Sequence, residues 1–392
     1  MIHSDSYSEE IRRWYPCGKP KDYYMRVQDN VKHAVCFLCV SYGGDNYKPF
    51  GTAFFFAVPH ADEADRYHYY IATAKHNLDK FEELENSAIK SRGIHMRVNT
   101  TEGKFIHKPI EGVWVKPKGT STADVAIIPM NDPPPSLEID AITLEYSVTQ
   151  ALMSEITGVD ERIKHMSLMM NRPLVDSSVP IGIGDDVLAV GLFTRREGTS
   201  RNIPIVRAGI IAAMPEESVY DAEAKELFNG YLVEMRSISG LSGSPVFVSL
   251  PRFRVNKKGE GRLLYFLGLI RGHWSERVEI LVADDKPITN KKGKQKKREL
   301  EADVFKFNTG IAALTPAQEL INLLEEDSLV KLRGEREKKS LGERSKGFEA
   351  DSALDGIRKA EQGEYLTPEG FQDALKKVFP KPSQSASKKK RT

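Results

Sequence analysis

Short apolar runs rich in valine, isoleucine and aromatic residues dominate the chain, and turn residues separate them. Six such runs lie between residues 32 and 130, and seven more lie between residues 178 and 314. Runs of this length and spacing are typical of strands in an all-β sandwich or barrel. A proline-rich linker and a partly helical pattern occupy the residues between the two groups. We therefore expect an all-β protein made of two β-rich halves.

Length and charge narrow the classes of function. The chain has 392 residues, of which 40% are hydrophobic, and a formal net charge of +2. A charge so close to balance gives no general attraction to nucleic acids or membranes. The sequence contains no run of about 18 apolar residues that could span a bilayer, and the first residues lack a signal-peptide pattern. We expect no membrane partner and a cytoplasmic location.

Three cysteines, Cys17, Cys36 and Cys39, are too few for a disulfide framework. Cys36 and Cys39 form a CxxC pair, a spacing that is also used by redox and zinc sites. The pair lies inside the predicted strand HAVCFLCVSY, where residues three apart point to opposite faces. No second Cys/His pair at zinc spacing follows. We therefore expect buried thiols in a reducing compartment and no bound metal.

One glycine- and serine-rich stretch, SISGLSGSPVFV at residues 237–248, enters directly into an apolar run. A nucleophilic serine needs an exposed hydroxyl beside a base and N–H groups aimed at the developing oxyanion. Glycine adopts backbone angles that other residues resist, so Gly240 and Ser242 could direct their N–H groups to one point. Ser239 and Ser244 are interpreted as turn residues. The alternative is a structural turn without chemistry.

Two further residues stand at predicted strand edges. His76 follows the strand YHYYIATA, and Asp124 opens the apolar strand DVAIIPM. Asp124 could be a turn or cap residue, or it could be buried and hydrogen-bonded to a histidine, stabilising the imidazolium. His76 could equally be a solvated or structural histidine. The chain order His, Asp, Ser is the order found in chymotrypsin-type peptidases.

Five groups of segments resemble trypsin-like serine peptidases, nearest to the bacterial HtrA-like branch. The resemblance covers about residues 32–326 and follows the family's order along the chain. The segments are GTAFFFAV with YYIATAKH, ADVAII, IGDDVLAVGLF with VRAGIIAAM, GLSGSPVF, and YFLGLIRGH with FNTGIAALTPAQELI. The sequence departs from the family at Ser244, where glycine is commoner, and at Lys75, where a small residue is usual.

The resemblance implies a serine endopeptidase that works through an acyl-enzyme without a cofactor or metal. It makes Ser242 the nucleophile, His76 the general base and acid, and Asp124 the orienting carboxylate. The oxyanion hole would be formed by the N–H groups of Gly240 and Ser242. The implied fold is two packed antiparallel six-stranded β-barrels of the chymotrypsin type, with the site in the cleft between them.

The domain organisation follows from these assignments. A C-terminal helix with Thr315 as its N-cap and Pro316 at its first position would close the second barrel, and a charged, partly helical or disordered region would follow it. The predicted segments are an N-terminal arm at 1–31, the peptidase domain at 32–326, and the C-terminal region at 327–392. Within the domain they are barrel one at about 32–133, an insertion at 134–177, barrel two at 178–314, and the closing helix at 315–326.

The sequence gives weaker signals for the substrate and the partners than for the catalytic residues. Arg271 and His273, in GLIRGHW, are predicted to line the substrate pocket, where a basic wall would favour acidic side chains. The alternative is that both side chains point to solvent. We expect a protein or peptide substrate and a regulatory protein partner that binds the C-terminal region or the insertion at 145–172.

Two other classes of function stay open. The first is a latent or inactive protease-fold scaffold that binds other proteins. The second is a nucleic-acid-binding β-protein, which would depend on the basic segments NKKGKQKKRE and SKKKRT. These segments lack interleaved aromatic residues, so we interpret them as a solvated loop and tail and expect no nucleic-acid partner.

Overall fold

The computed structural model describes the greater part of residues 29–340. The described residues are 29–61, 63, 66–85, 93–149, 152–153, 158–159, 180–193, 197–221, 225–235, 240–250, 254–255, 264–282 and 301–340. Most of the predicted arm, most of the 145–172 insertion, the two basic segments, Ser239 and the end of the C-terminal region lie outside them. The chain divides into two compact units, Met1–Leu324 and Glu325–Thr392.

The first half of the first unit is a sheet of seven strands. Its order is β5-β4-β1-β2-β3-β6, with the short β7 parallel to β2 and all other neighbours antiparallel. The strands are β1 Val35–Ser41, β2 Tyr47–Pro59, β3 Tyr67–Thr73, β4 Ile94–Asn99, β5 Phe105–Pro109, β6 Ala126–Met130 and β7 Ile142–Thr143.

The strand β2 is apolar without alternation because both of its faces are buried. Phe55 packs with Ile71 and Leu78 in the core of the first half. Phe54 and Phe56 point the other way, and their ring centroids lie 5.4 and 6.0 Å from that of Phe266 in the second half. Burial on two faces explains a continuous hydrophobic run in an antiparallel sheet, where one face is often solvated.

The second half contains a closed antiparallel barrel of six strands in the order β10-β13-β17-β16-β14-β9. Its interior is filled by side chains such as Val187, Val233, Val246, Leu267 and Leu314, all at most 1% exposed. Its strands are β9 Asp186–Gly191, β10 Ile205–Ala213, β13 Tyr231–Glu234, β14 Pro245–Ser249, β16 Leu264–Val282 and β17 Glu301–Pro316. The remaining pairs are β11 Val219–Asp221 with β12 Glu226–Phe228, and β8 Gly158–Val159 with β15 Arg254–Val255.

Three helices have defined bounds: α1 Asp29–His33, α2 Lys75–Glu85 and α3 Ala317–Leu324. The apolar side of α3 buries Leu320, Leu323 and Leu324, as the sequence predicted. In the second unit residues 327–340 are helical. Among the described residues, none of the helices combines the length and the apolar character needed to cross a membrane.

The start of the closing helix differs from the prediction. Strand β17 continues through Pro316, so α3 begins two residues after Thr315. The Thr315 hydroxyl donates to the backbone carbonyl of Asp124 at 3.3 Å, and Gln318 bonds Asn322 at 3.0 Å. The predicted N-cap residue is therefore engaged in a long-range hydrogen bond to the first half of the fold.

The predicted strand at 113–117 is only a single bridge between Val115 and Ile127. Pro117 has no N–H to donate, which prevents the ladder from continuing. Beside it, the Lys116 ammonium bonds Asp79 at 3.1 Å and Glu82 at 2.7 Å on α2. Residues 113–117 thus contribute one bridge to β6 and a side-chain tether to α2 instead of a strand.

A buried arginine joins the two halves through hydrogen bonds of its side chain. Arg97 on β4 is 2% exposed. Its guanidinium donates to the carbonyls of Glu197 and Gly198, both at 2.7 Å, and to the side-chain oxygen of Asn202 at 2.9 Å. It also lies 3.6 Å from the centre of the Phe105 ring. We call this contact the Arg97 interlock.

Candidate functional site

A pocket of about 530 Å³ is lined by residues of both halves. The first half contributes His76 and Asp124, and the second contributes Ser242, Arg271 and His273. The fold therefore brings together side chains that are far apart in the sequence. Each of the three residues predicted to carry the chemistry lines this pocket.

His76 and Asp124 form a close pair. His76 is the second residue of α2, and its Nδ1 lies 2.6 Å from Asp124 Oδ2. The other carboxylate oxygen accepts the His76 backbone N–H at 2.8 Å. The first N–H groups of a helix have no partner within the helix, and a carboxylate there also suits the helix dipole. Asp124 therefore fixes both the main chain and the ring of His76.

The pocket keeps Asp124 ionised although it is buried. Burial alone would raise the pKa of its carboxyl group, but hydrogen bonds from His76, the charge of that ring and the Arg271 charge lower it. The net result is a pKa below the ordinary value of 3.8. An ionised Asp124 accepts a hydrogen bond from the N–H of His76 Nδ1. The other ring nitrogen, Nε2, is then the one that can take up a proton.

The turn that carries Ser242 is held by the first half of the fold. The Ser242 carbonyl accepts hydrogen bonds from the Thr52 N–H at 3.2 Å and from Asn77 Nδ2 at 3.1 Å. Gly243 has φ +84°, and a Cβ there would collide with the Thr52 carbonyl oxygen. The second glycine of GLSGSP is therefore required both by its backbone angle and by space.

The other residues of the turn have distinct environments. Gly240 has φ +97°, and its carbonyl accepts the Thr52 hydroxyl at 3.0 Å. Ser244 is fully buried, and its hydroxyl has no hydrogen-bond partner among the described residues. A Cβ on Gly191 would collide with that hydroxyl, so Ser244 fills the space that this glycine leaves. Ser242 is the serine of this turn that lines the pocket.

Arg271 and His273 both line this pocket, with different exposure. Arg271 is 8% exposed, whereas His273 is exposed. The Arg271 guanidinium is ion-paired with Glu226 and lies 3.8 Å from an oxygen of Asp221. Its charge is therefore already compensated by carboxylates of the β11–β12 hairpin. This argues against an arginine that waits for an acidic substrate side chain.

Within the described ranges, no three metal-ligand side chains converge in this pocket. Outside it, the CxxC thiols are buried and free. Burial raises the pKa of Cys39 to about 12 and that of Cys36 still further, so both stay protonated.

Several residues that shape the site carry no signal in the sequence. Thr52 and Asn77 hold the Ser242 turn, and Asp221 and Glu226 bind Arg271, but each belongs to an ordinary-looking segment. Their partners are at least 45 positions away, as for Glu226 and Arg271. Lys75, directly before His76, forms a 2.7 Å ion pair with Asp79 on the same helix.

Comparison of the chain with protein-family models gave no match, and comparison with curated proteins gave none. The function is therefore inferred from the site itself.

Proposed function

We propose that the chain is a serine endopeptidase of the trypsin-like type, with Ser242 as nucleophile, His76 as general base and acid, and Asp124 as orienting carboxylate. The observation that carries the proposal is the double contact of the Asp124 carboxylate with His76, in a pocket that Ser242 also lines. A carboxylate on Nδ1 fixes the tautomer and stabilises the imidazolium that forms during acyl transfer.

The proposed reaction has two steps, acylation of Ser242 and hydrolysis of the resulting ester. The Ser242 oxygen attacks the peptide carbonyl carbon while its proton passes to His76 Nε2. The C–N bond then breaks, and His76 returns the proton to the leaving amine, so that an ester on Ser242 remains. Water attacks this ester with His76 again taking the proton, and the carboxylic acid leaves as the serine is restored. The N–H groups of Gly240 and Ser242 are the proposed oxyanion donors.

A peptide substrate is supported by an open strand edge. Strand β14 pairs with β16 as far as Pro245 and Leu269. Beyond this point the same edge of β16 has no strand partner within the described residues, and Gly272, His273 and Trp274 line the pocket there. An extended peptide can add to such an edge through main-chain hydrogen bonds.

The proposal includes two further elements that the resemblance implies. The first is a six-stranded first barrel that packs on the closed one; the first half has the six antiparallel strands β1–β6 and the short parallel β7 in one sheet. A regulatory protein partner, acting through the C-terminal region or the 145–172 insertion, is proposed from the charge and helix patterns of the sequence.

A fluorophosphonate probe tests the proposal because it phosphonylates an activated serine. We expect the full-length chain to be labelled and to cleave an unfolded protein substrate, and Ser242→Ala to abolish both. Ser244→Ala is the matched control, two residues away in the same turn, and should be labelled like the wild type. A folded wild-type chain that is neither labelled nor proteolytic would overturn the proposal in favour of a protease-fold scaffold.

A further inference from the structure

Arg271 connects three parts of the pocket wall. It lies on β16, where one guanidinium nitrogen donates to the carbonyl of Thr122 at 2.7 Å. A second nitrogen bonds Glu226 on the β11–β12 hairpin, with Asp221 of the same hairpin close by. The guanidinium carbon lies 4.7 Å from the centre of the Phe228 ring, which is also part of the hairpin.

The Thr122 contact matters because the chain around Asp124 is irregular. Residues 121–125 belong to neither a helix nor a strand, so no ladder of main-chain hydrogen bonds fixes them. Two side chains from the closed barrel hold this segment by its carbonyl groups: Arg271 binds that of Thr122 and Thr315 binds that of Asp124. The carboxylate that orients His76 is thus held from the opposite half of the fold.

We propose that Arg271 is a positioning residue for the Asp124–His76 pair, and that the β11–β12 hairpin holds its guanidinium in place. The proposal rests on the proposed function, because it names what aligns that site. Arg271 acts through its planar guanidinium group. One nitrogen donates a hydrogen bond to the Thr122 carbonyl, and another donates to the Glu226 carboxylate. A lysine has one ammonium on a flexible stem and cannot reproduce this arrangement.

This role differs from substrate recognition in a measurable way. A residue that positions Asp124 changes the chemical step, so its loss lowers kcat and leaves KM nearly constant. A residue that binds an acidic substrate side chain raises KM for acidic substrates when it is removed. The ion pair with Glu226 favours the first alternative, because it already satisfies the arginine.

Proton NMR of the full-length chain reads the His76–Asp124 contact without any turnover. The proton between Nδ1 and the carboxylate gives a far-downfield signal, which is assigned by its loss in His76→Gln. We expect this signal to shift or broaden in Arg271→Met, to be only partly restored in Arg271→Lys, and to change less in Glu226→Gln. Arg201→Met is the matched control, since it breaks an Arg–Glu pair of 2.7 Å with Glu138 outside the pocket.

Kinetics complete the test. We expect kcat of Arg271→Met to fall by about ten- to a hundredfold, the size that small displacements of catalytic groups cause, with KM within about twofold of the wild type. Thermal melting of each variant separates this loss from unfolding. An unchanged signal with unchanged kcat, full restoration of both by lysine, or a KM effect confined to acidic substrates would each overturn the positioning role. If the wild type is not labelled by the fluorophosphonate, the proposed function fails, yet the NMR comparison still decides the role of Arg271.

Discussion

Two buried arginines, Arg97 and Arg271, link the two β-rich halves in different ways. Both are nearly inaccessible, at 2% and 8% exposure, and both lie over phenylalanine rings. Within the described part of the chain, the oxygens that the Arg97 guanidinium bonds are uncharged, those of Glu197, Gly198 and Asn202. The Arg271 guanidinium instead has two carboxylates beside it and faces the pocket.

The difference separates a structural link from a functional one. Burial lowers the pKa of Arg97, although the nearby Glu197 charge raises it. A buried charge of this kind is retained through its hydrogen bonds, and those bonds tie the loop 197–202 to β4. The positive charge of Arg271 is compensated by the carboxylates of Asp221 and Glu226. Its other terminal nitrogen is then available to hold the carbonyl of Thr122, two residues before Asp124. We therefore expect changes at the Arg97 interlock to affect stability and changes at the pocket to affect rate.

The largest effect is expected at the pocket. Asp124→Asn keeps an oxygen for the His76 backbone N–H but favours the wrong imidazole tautomer, so on the proposed mechanism kcat should fall by about 10⁴-fold. Hydrolysis of a peptide ester measures this loss. Asp185→Asn is the control, because that carboxylate accepts the Gly182 N–H at 2.9 Å, does not line the pocket and should leave kcat within about twofold. Equal losses in the two variants would remove the distinction between the regions.

A change at the Arg97 interlock should lower stability and leave the reactivity of the site nearly unchanged. Arg97→Met leaves the carbonyls of Glu197 and Gly198 and the buried side-chain oxygen of Asn202 without their donor. An unsatisfied buried group costs about 1–3 kcal/mol, so we expect the free energy of unfolding to fall by about 1–3 kcal/mol. Urea unfolding measures the change. The variant that remains folded should react with the fluorophosphonate at nearly the wild-type rate. A stable but unreactive variant would show that the interlock also serves the site.

Acid should weaken the pocket through Asp124. Its folded pKa is lowered from 3.8, so its contribution to stability is present above the unfolded value and is lost as the pH falls from about 4 towards the lower folded pKa. Urea unfolding at a series of pH values should therefore show a steeper loss for the wild type than for Asp124→Asn in this range. Parallel curves would contradict an ionised, stabilising carboxylate.

The smallest effect is expected inside the nucleophile turn. The Ser244 hydroxyl is buried without a partner among the described residues, so Ser244→Ala should leave stability unchanged or raise it by up to about 1 kcal/mol. A loss larger than about 1 kcal/mol would reveal a hydrogen bond in solution that the fold does not suggest. Thermal and urea unfolding beside the wild type are sufficient to decide.

The sequence predicted the features that depend on local pattern. The β-rich halves follow from short apolar runs, and His76, Asp124 and Ser242 all reach one pocket. Helix α2 was missed because His76 follows a strand after only Ala74 and Lys75, with no capping residue before the helix. Its capping partner is Asp124, which is 48 positions away and invisible to a local rule.

Long-range polar contacts account for the other differences. Thr315 has the sequence of an N-cap, yet it bonds the carbonyl of Asp124, 191 positions earlier. Arg271 was predicted to line the substrate pocket from its place in GLIRGHW, whereas the fold pairs its guanidinium with Glu226, 45 positions earlier. Local propensity cannot report such partners, since they meet only after the two halves have packed.

Formation of an acyl-enzyme tests the central claim most directly. The full-length chain is mixed with a slowly deacylating ester substrate, quenched in acid during turnover, and digested for mass spectrometry. We predict the mass of one acyl group per chain on the peptide that contains Ser242, and its absence in Ser242→Ala. Turnover without an adduct, or an adduct on a different residue, would contradict the assignment of Ser242 as the nucleophile.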